Sequence, residues 1–406
     1  MTLHASADVV VIGAGPAGST AATVLAKAGR SVVLVDKATF PRDKCCGDGL
    51  TTLALRELEL LGLRPSMVPS WKSVDAAWLR SPSGREVRVA LPSDGIFAAT
   101  TPRRELDAAL LDLAIDAGAK VYQGKALETI RQLPAAVEVA IAGVGTINAS
   151  YVVAADGMWS ATRKALGVGE SGYLGEWHAF RQYAGNVTGP AAERLIVWFE
   201  PDLLPGYMWS FPLPDGRVNI GFGVQRDGER RVQDMKQLWH DLLLRHHVVE
   251  ALGAGFELED RHTAWPIPAG IDRATLTAGR VCFVGDAAMA ADTMTGEGIG
   301  QALLTARLAA EAIIAQGGPE AVTSRYRATV RHHLVADHKM SALLGKALSH
   351  QLGARGAIRL LASSDWSRRN FARWMFEDEP RAIVFTPSRW HRQFFRRPGP
   401  FQRDHA

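Results

Sequence analysis

The sequence lacks the features that mark several classes of protein. Only three of its 406 residues are cysteines, and two of them, Cys45 and Cys46, are adjacent, so they cannot build a disulfide framework. We therefore expect a reducing, cytoplasmic environment. No apolar run is long enough to span a bilayer, no basic region precedes the first apolar run, and no segment repeats or has low complexity.

The chain also lacks a strong charge. Its formal net charge of +4 is small for this length, and no zinc, recognition-helix or single-strand-binding pattern is present, so we expect no nucleic-acid partner. The twelve histidines form no pair with the spacing of metal ligands, and we expect no metal site. The hydrophobic share of 47% and the charged share of 22% are typical of folded proteins, and the length predicts two or three structural units.

The most informative stretch lies near the start. A buried strand at 8–12 is followed by Gly-x-Gly-x-x-Gly and by a helix rich in Ala and Leu. Gly13 permits a tight turn, Gly15 lets the backbone approach a phosphate, and Gly18 lets the helix pack on the strand. Asp36 ends the next strand, where a carboxylate can accept hydrogen bonds from a ribose. The alternative is a plain tight turn, but the complete βαβ pattern favours a dinucleotide site.

The rest of the chain predicts a change of architecture. Period-two alternation between 173 and 265 predicts an antiparallel sheet, interrupted by a helix at about 232–247. A buried strand then ends at Gly285-Asp286, and a long helix begins near Gly298. Everything after residue 319 favours helix. No second Gly-x-Gly-x-x-Gly follows a strand, so one dinucleotide fold is expected.

Five motifs, taken in their order along the chain, resemble those of a known protein family. The markers are the glycine loop with Asp36, the sequence FPRDKCCGDGL at 40–50, DGMWSATR at 156–163, GDAA at 285–288 with TGEGI at 295–299, and PGYMWSFP at 205–212. The chain resembles flavoproteins with the fold of para-hydroxybenzoate hydroxylase. Within them it is most similar to the geranylgeranyl reductase family of FAD-dependent oxidoreductases, which includes menaquinone-tail and archaeal-lipid reductases. The resemblance covers about the first 320 residues.

The resemblance implies an α/β fold in three parts. The first is a discontinuous Rossmann-type FAD-binding domain at 1–70, 101–172 and 266–318. An antiparallel β-sheet substrate domain occupies 71–100 and 173–265. The third part is a helical C-terminal region at 319–406.

The resemblance also assigns a cofactor, FAD, and its contacts. Asp156-Gly157 would lie beside the pyrophosphate with Arg163 nearby, and Asp286 would reach the ribitol. The N-terminus of the helix that begins near Gly298 would face the flavin and stabilise its reduced, anionic form. The full set of expected cofactor-binding residues is Gly13, Gly15, Pro16, Ala17, Gly18, Asp36, Lys37, Arg42, Cys46, Gly47, Arg103, Asp156, Gly157, Gly285, Asp286, Gly296, Gly298 and Ile299.

By the same resemblance Cys46 lies at the flavin on the substrate side, as a proton donor and candidate catalytic residue or as a pocket wall. The alternative is an inert buried thiol. Cys45 has no such match and is expected to be only a neighbour. Tyr207, Trp209 and Phe211 would line the substrate pocket, although their alternation also fits an ordinary sheet core. Further candidate walls of an apolar tunnel are Trp177, Phe180, Trp198, Phe199 and Phe222.

The implied function is FAD-dependent saturation of C=C bonds in an isoprenoid chain of the geranylgeranyl or prenyl-quinone type. NAD(P)H or another carrier would supply the electrons. One alternative is a flavin-dependent monooxygenase or halogenase acting on an aromatic natural product, and another is an electron-transfer flavoprotein that reduces a quinone.

The tail from 355 to 406 adds one open question. It carries eleven Arg and five acids among aromatic residues, which suits peripheral contact with an anionic membrane. The alternative, which helical spacing favours, is an amphipathic helical layer packed on the body of the protein.

Overall fold

The computed structural model describes residues 3–226, 232–394 and 396–402. The strands in these ranges are β1 (Leu3–Ile12), β2 (Val32–Val35), β3 (Gly49–Leu50), β4 (Lys72–Ser73), β5 (Ala76–Arg80), β6 (Glu86–Ala90), β7 (Ala99–Thr100), β8 (Lys120–Tyr122), β9 (Leu127–Gln132), β10 (Val137–Ile141), β11 (Gly145–Ala154), β12 (Trp177–Gly185), β13 (Leu195–Trp198), β14 (Tyr207–Pro212), β15 (Val218–Gln225), β16 (Glu257–Ile267), β17 (Thr277–Ala278) and β18 (Val281–Phe283).

The helices agree with the sequence pattern in position, with shifted ends. They are α1 (Pro16–Lys27), α2 (Thr52–Leu61), α3 (Arg103–Asp116), α4 (Ala161–Ala165), α5 (Val232–Leu243), α6 (His246–Leu252), α7 (Ile299–Ile314), α8 (Pro319–Val330), α9 (Ala336–Leu348), α10 (Gln351–Leu361) and α11 (Asp365–Met375). The single helix expected at 232–247 is two helices, because the chain breaks between Leu243 and His246. No helix in the described ranges is long and apolar enough to cross a membrane.

The first sheet is the parallel sheet that the glycine motif predicts. Its order is β17-β18-β11-β1-β2-β8, with the β9–β10 hairpin attached to β11. β1 pairs in parallel with β2 and β11, and β11 pairs in parallel with β18. The carboxyl ends of these strands therefore meet at one edge. The glycine loop, Asp36, Asp156 and Gly285 follow the four strands at that edge, where doubly wound folds bind their ligands.

The second sheet has the order β16-β12-β15-β14-β13-β5-β6. It is antiparallel, as expected, except that β5 and β13 pair in parallel. One face packs against α5 and α6 through a buried cluster that includes Phe222 and Trp239. Along β14 the opposite face presents Tyr207, Trp209 and Phe211 toward the carboxyl edge of the first sheet. A cavity lies between the two.

The C-terminal helices pack against both sheets. α8 joins the core of the first sheet, where the Tyr326 hydroxyl donates to the carbonyl oxygen of Phe283 at 2.6 Å. α10 and α11 cover β5 and β6 through Ile358 and Phe376. A π-helical turn at Arg331–Val335 connects α8 to α9. The expected helical region is therefore helical but shared between two cores.

Candidate active site

A cavity of about 810 Å³ lies between the two sheets. This volume is within the usual range for cofactor sites, about 300–1,000 Å³. Every expected cofactor-binding residue except Gly18 lines it. So do Tyr207, Trp209 and Phe211, together with Cys45, which was expected to be only a neighbour. The structure thus gathers residues from 13 to 299 around one space.

The glycine loop is shaped for close approach. Gly13 has φ +99°, and a Cβ there would lie 2.3 Å from the carbonyl oxygen of Ala155. Gly18 does not reach the cavity, because its role is packing: a Cβ there would lie 1.7 Å from the carbonyl oxygen of Gly13. Asp36 accepts hydrogen bonds from the backbone N–H groups of Ala14 (2.6 Å) and Ala38 (2.7 Å), so its carboxylate fixes the loop as well as facing the cavity.

The start of α1 fits an anionic group such as the FAD pyrophosphate. Pro16 begins the helix, no side chain caps it, and no acidic residue lies in its first turn. The first N–H groups are therefore free, and the helix end carries a partial positive charge. Nearby, two guanidinium groups that line the cavity share the buried carboxylate of Asp107. Arg103 binds its two oxygens at 2.7 Å each, and Arg42 lies 3.0 Å away. Two cations on one carboxylate leave net positive charge beside the cavity.

The Asp156-Gly157 turn holds its own backbone. Asp156 accepts from the hydroxyl of Ser160 at 2.6 Å and from the N–H of Thr162 at 2.8 Å. Arg163, which the resemblance places near the pyrophosphate, does not line the cavity. Its side chain is buried away from the cavity, and its guanidinium donates to three backbone carbonyl oxygens. Those carbonyls belong to Val168, Thr275 and Ala287 at 2.9–3.0 Å.

At the end of the cavity near α7, several ionisable groups have pKa values that burial shifts from their ordinary range. Gly298 precedes the helix, and the Glu297 carboxylate accepts from the N–H of Ile299 at 3.2 Å. Burial, and then the charge of Glu377, raise the pKa of Glu297 to about 8. Burial also raises the pKa of Asp286, which Lys44 opposes. The ammonium of Lys44 itself lies 3.0 Å from the centre of the Trp265 ring, and burial lowers its pKa to about 8.

The Cys46 loop is anchored from behind by residues that the sequence reasoning missed. The Cys46 carbonyl oxygen accepts from Asn219 Nδ2 at 2.8 Å and from Arg181 Nε at 3.2 Å. Asp48 is completely buried and accepts from the Tyr183 hydroxyl at 2.6 Å and from Asn219 at 2.8 Å. Burial raises the pKa of the Cys46 thiol to about 12, so it is neutral. The available signal was polar residues inside otherwise apolar strands.

The aromatic side chains of β14 form the wall opposite this loop. Side chains alternate along a strand, so Tyr207, Trp209 and Phe211 share one face. A Cβ at Gly47 would lie 3.4 Å from Trp209, and one at Gly49 would lie 2.9 Å from Phe211. The Tyr207 hydroxyl donates to the carbonyl oxygen of Thr295. The two glycines thus let the loop and the wall touch.

The wider set of expected tunnel walls is only partly right. Trp177 lines the cavity. Phe180, Trp198 and Phe222 do not, because they point to the other face of the sheet and pack in the cluster under α5. Phe199 packs in the cluster beneath α10 and α11. The period of two places Phe180, Trp198 and Phe222 on the wrong face. Phe199 is on the face of Tyr207, with ring centroids 6.1 Å apart, but lies outside the cavity lining.

Comparison with known proteins agrees with this geometry. Residues 6–328 match the family described as FAD binding domain. A menaquinone reductase of Mycolicibacterium smegmatis is 33% identical over 369 residues, covering 86% of each chain. A digeranylgeranylglycerophospholipid reductase of Methanopyrus kandleri is 31% identical and covers 75% of this chain and 76% of its own.

Among solved structures, a geranylgeranyl bacteriochlorophyll reductase-like protein of Thermoplasma acidophilum has a TM-score of 0.78 at 20% identity. The match covers 96% of this chain and all of that one. At this identity the likeness concerns the fold. The cofactor is FAD, as the resemblance implied. The chain belongs to the FAD binding domain family and, within it, to the geranylgeranyl reductase-like FAD-dependent oxidoreductases.

Proposed function

We propose that this enzyme saturates C=C bonds of an isoprenoid chain, of the geranylgeranyl or prenyl-quinone type. The observation that carries the proposal is one cavity with two unlike sides. The glycine loop, Asp36 and the Asp156 turn form one side, and the Cys46 loop against the aromatic wall of β14 forms the other. The names of relatives above 30% identity, a menaquinone reductase and an archaeal-lipid reductase, support an isoprenoid substrate.

The cofactor residues divide by role. Gly13, Gly15, Pro16 and Ala17 would hold the pyrophosphate, with Asp36 at the ribose. Arg42 and Arg103 would supply positive charge, and Gly296, Gly298 and Ile299 would face the flavin. The bound FAD supplies a hydride from its reduced ring. The chain provides what an unpolarised alkene requires, namely position, exclusion of water and a proton.

Cys46 is the residue on the substrate side that is suited to give that proton. Its thiol lies in the cavity and is neutral, because burial keeps its pKa near 12. Tyr207, Trp209 and Phe211 would hold the alkene, since their rings give an apolar surface directly across from the loop. The Tyr207 hydroxyl is held by Thr295 and therefore stays in place.

The electron donor would be NAD(P)H or another small carrier, since the sequence offers one dinucleotide motif and FAD takes it. The requirement for oxygen distinguishes a reductase from a monooxygenase or halogenase. We expect NAD(P)H oxidation with an isoprenoid substrate to proceed under anaerobic conditions. Stoichiometric oxygen uptake with a hydroxylated or halogenated aromatic product would contradict the proposal. Quinone reduction that leaves every prenyl double bond intact would favour a simple electron-transfer flavoprotein.

We also propose that the C-terminal surface touches the membrane that holds such a substrate. Phe376 and Ala372 are buried on the body of the protein, which accounts for part of the aromatic content. Several large apolar side chains of the same region are instead at least 60% exposed. They are Leu352, Leu360, Trp366, Val384, Phe385 and Trp390. The same stretch of sequence carries eleven arginines, and this combination suits an anionic lipid surface.

Vesicle sedimentation tests this contact. The Trp366→Ala/Phe385→Ala double variant should bind vesicles of mixed anionic and neutral lipid more weakly than the unchanged protein. Leu244→Ala removes a similarly exposed apolar side chain that is far in sequence from the C-terminal region. This variant should bind as the unchanged protein does. Equal binding by the double variant would place the membrane contact elsewhere or refute it.

A further inference from the structure

A second cavity, of about 420 Å³, lies behind the N-terminal end of α7. Its walls come from α2, α7, the turn between α8 and α9, and the C-terminal segment. Most of the residues that line it are polar or charged, and they include four histidines, His332, His333, His338 and His391. A polar space of this size is expected to hold several water molecules, each of which occupies about 30 Å³.

Only one layer of chain separates this cavity from the cofactor cavity. Ala291 lines both of them. From there the segment up to Gln301 forms the partition. Glu297 lies on the cofactor side with its side chain partly open to that cavity, whereas Asp292 and Gln301 face the second cavity. The two spaces are therefore back to back.

Glu377, from the C-terminal segment, is the carboxyl group held against this partition. It accepts from Gln301 Nε2 at 2.9 Å and from the Thr51 hydroxyl at 3.1 Å, and Arg381 lies 3.3 Å away. Its side chain is 9% exposed and lines the second cavity. Gln301 is in the first turn of α7 and Glu297 directly precedes its N-cap, Gly298, so both residues lie at the same end of the helix.

We propose that Glu377 and Glu297 form a route that carries protons from the water of the second cavity to the cofactor cavity. The inference rests on the proposed function, because saturating one C=C bond adds a hydride to one carbon and a proton to the other. The hydride comes from reduced FAD, which a two-electron carrier regenerates. Cys46 gives its proton to the substrate carbon, and Glu297 returns a proton to Cys46. Glu377 then reprotonates Glu297, and water of the second cavity restores Glu377, so none of these groups changes over a turnover.

The acidities of the two groups suit such transfer. Burial raises the pKa of Glu377 to about 7 and that of Glu297 to about 8, so both exchange protons near neutral pH. Glu297 also sits close enough to Cys46 and Tyr207 for its charge to raise the pKa of each of those groups. The proton therefore enters beside the residues that face the substrate. The charged groups facing the pair are Asp292 and Arg381, and each carboxyl group also faces the other.

Neutralising Glu377 has a definite electrostatic consequence. The negative charge of Glu377 contributes to the raised pKa of Glu297, so Glu377→Gln should lower the pKa of Glu297. In the unchanged holoenzyme, the FAD midpoint potential should change its dependence on pH near pH 8. This change of slope, or break, in the plot of midpoint potential against pH should move to lower pH in Glu377→Gln. In Glu297→Gln the break should disappear.

The rate at which an isoprenoid substrate reoxidises the reduced flavin is the second measurement. Reduced holoenzyme mixed with an isoprenoid substrate should lose its reduced-flavin signal on the order of 100-fold more slowly in Glu377→Gln and Glu297→Gln. Glu377→Asp keeps a proton-carrying group and should recover part of this rate. Glu200→Gln is the matched control: Glu200 is a buried, ion-paired carboxylate next to His247 and lines neither cavity, so rate and potential should stay unchanged.

The outcomes separate the route from the proposed function. Rate and potential profiles of Glu377→Gln equal to those of the unchanged protein would overturn the route. If Glu377→Gln does not fold, unchanged rate and potential profiles in Glu297→Gln would overturn the route equally. The redox titration needs no isoprenoid, so a shifted break without any prenyl reduction would support the route while refuting the proposed function.

Discussion

The substitution Asp48→Asn tests whether burial raises the pKa of the carboxyl group that anchors the Cys46 loop. Asp48 is fully buried, and burial raises its pKa from 3.8 to about 6 despite hydrogen bonds from Tyr183 and Asn219. In the unfolded chain its pKa returns to the ordinary value. A pKa difference between 3.8 and about 6 corresponds to about 3 kcal/mol of folding free energy.

The sign follows from the direction of that difference. Because the folded pKa is raised, the stabilising contribution is complete below about pH 4 and is lost as the pH rises through 6. Asp48→Asn cannot titrate. The unfolding free energy of the unchanged protein, minus that of the variant, should therefore fall by about 3 kcal/mol between pH 4 and pH 8.

Urea unfolding of the FAD-saturated holoenzyme, followed by tryptophan fluorescence at each pH, measures this difference. Asp8→Asn is the control of opposite sign, because hydrogen bonds from the N–H and hydroxyl of Ser31 lower the pKa of Asp8. The unfolding free energy of the unchanged protein, minus that of Asp8→Asn, should rise with pH. A difference for Asp48→Asn that stays constant, or that rises with pH, would refute the reasoning.

Three further substitutions test the cofactor side. Gly13→Ala forces a Cβ to 2.3 Å from a carbonyl oxygen and should leave the purified protein with little flavin absorbance, whereas Gly29→Ala, with nothing within 4 Å, should keep it. Cys46→Ala should keep bound FAD but slow turnover, because its neutral thiol lines the cavity; loss of FAD would make the loop structural. Arg103→Lys cannot reproduce the paired 2.7 Å bonds to Asp107 and should release FAD faster in a dilution assay; unchanged release would exclude Arg103 from binding.

The sequence could predict the cofactor edge of the fold because its signals are local. A glycine loop after a strand, followed by an acid at the end of the next strand, indicates a βαβ unit within about 30 residues of sequence. The parallel sheet follows from that unit, whereas the cofactor-binding residues beyond the glycine loop and Asp36 were implied by the family resemblance. Tyr207, Trp209 and Phe211 were also accessible, since alternation places them on one face.

The rest depends on contacts between distant parts of the chain. The resemblance places Arg163 near the pyrophosphate, but its guanidinium donates to carbonyls more than 100 residues away. The support of Cys46 by Asn219, 173 residues later, has no local pattern. Glu377 lies in a tail whose composition indicates only helix, yet it completes the wall behind α7. Long-range polar contacts of this kind are specified by packing rather than by spacing.

The most direct test of the central claim is mass spectrometry of the product. Chemically reduced holoenzyme is incubated without oxygen with geranylgeranyl diphosphate and, separately, with a prenylated quinone. The account predicts a product heavier by two hydrogens for each double bond reduced, with one flavin reoxidised for each. No mass change with any prenyl substrate, while an aromatic compound gains oxygen or halogen in air, would contradict it.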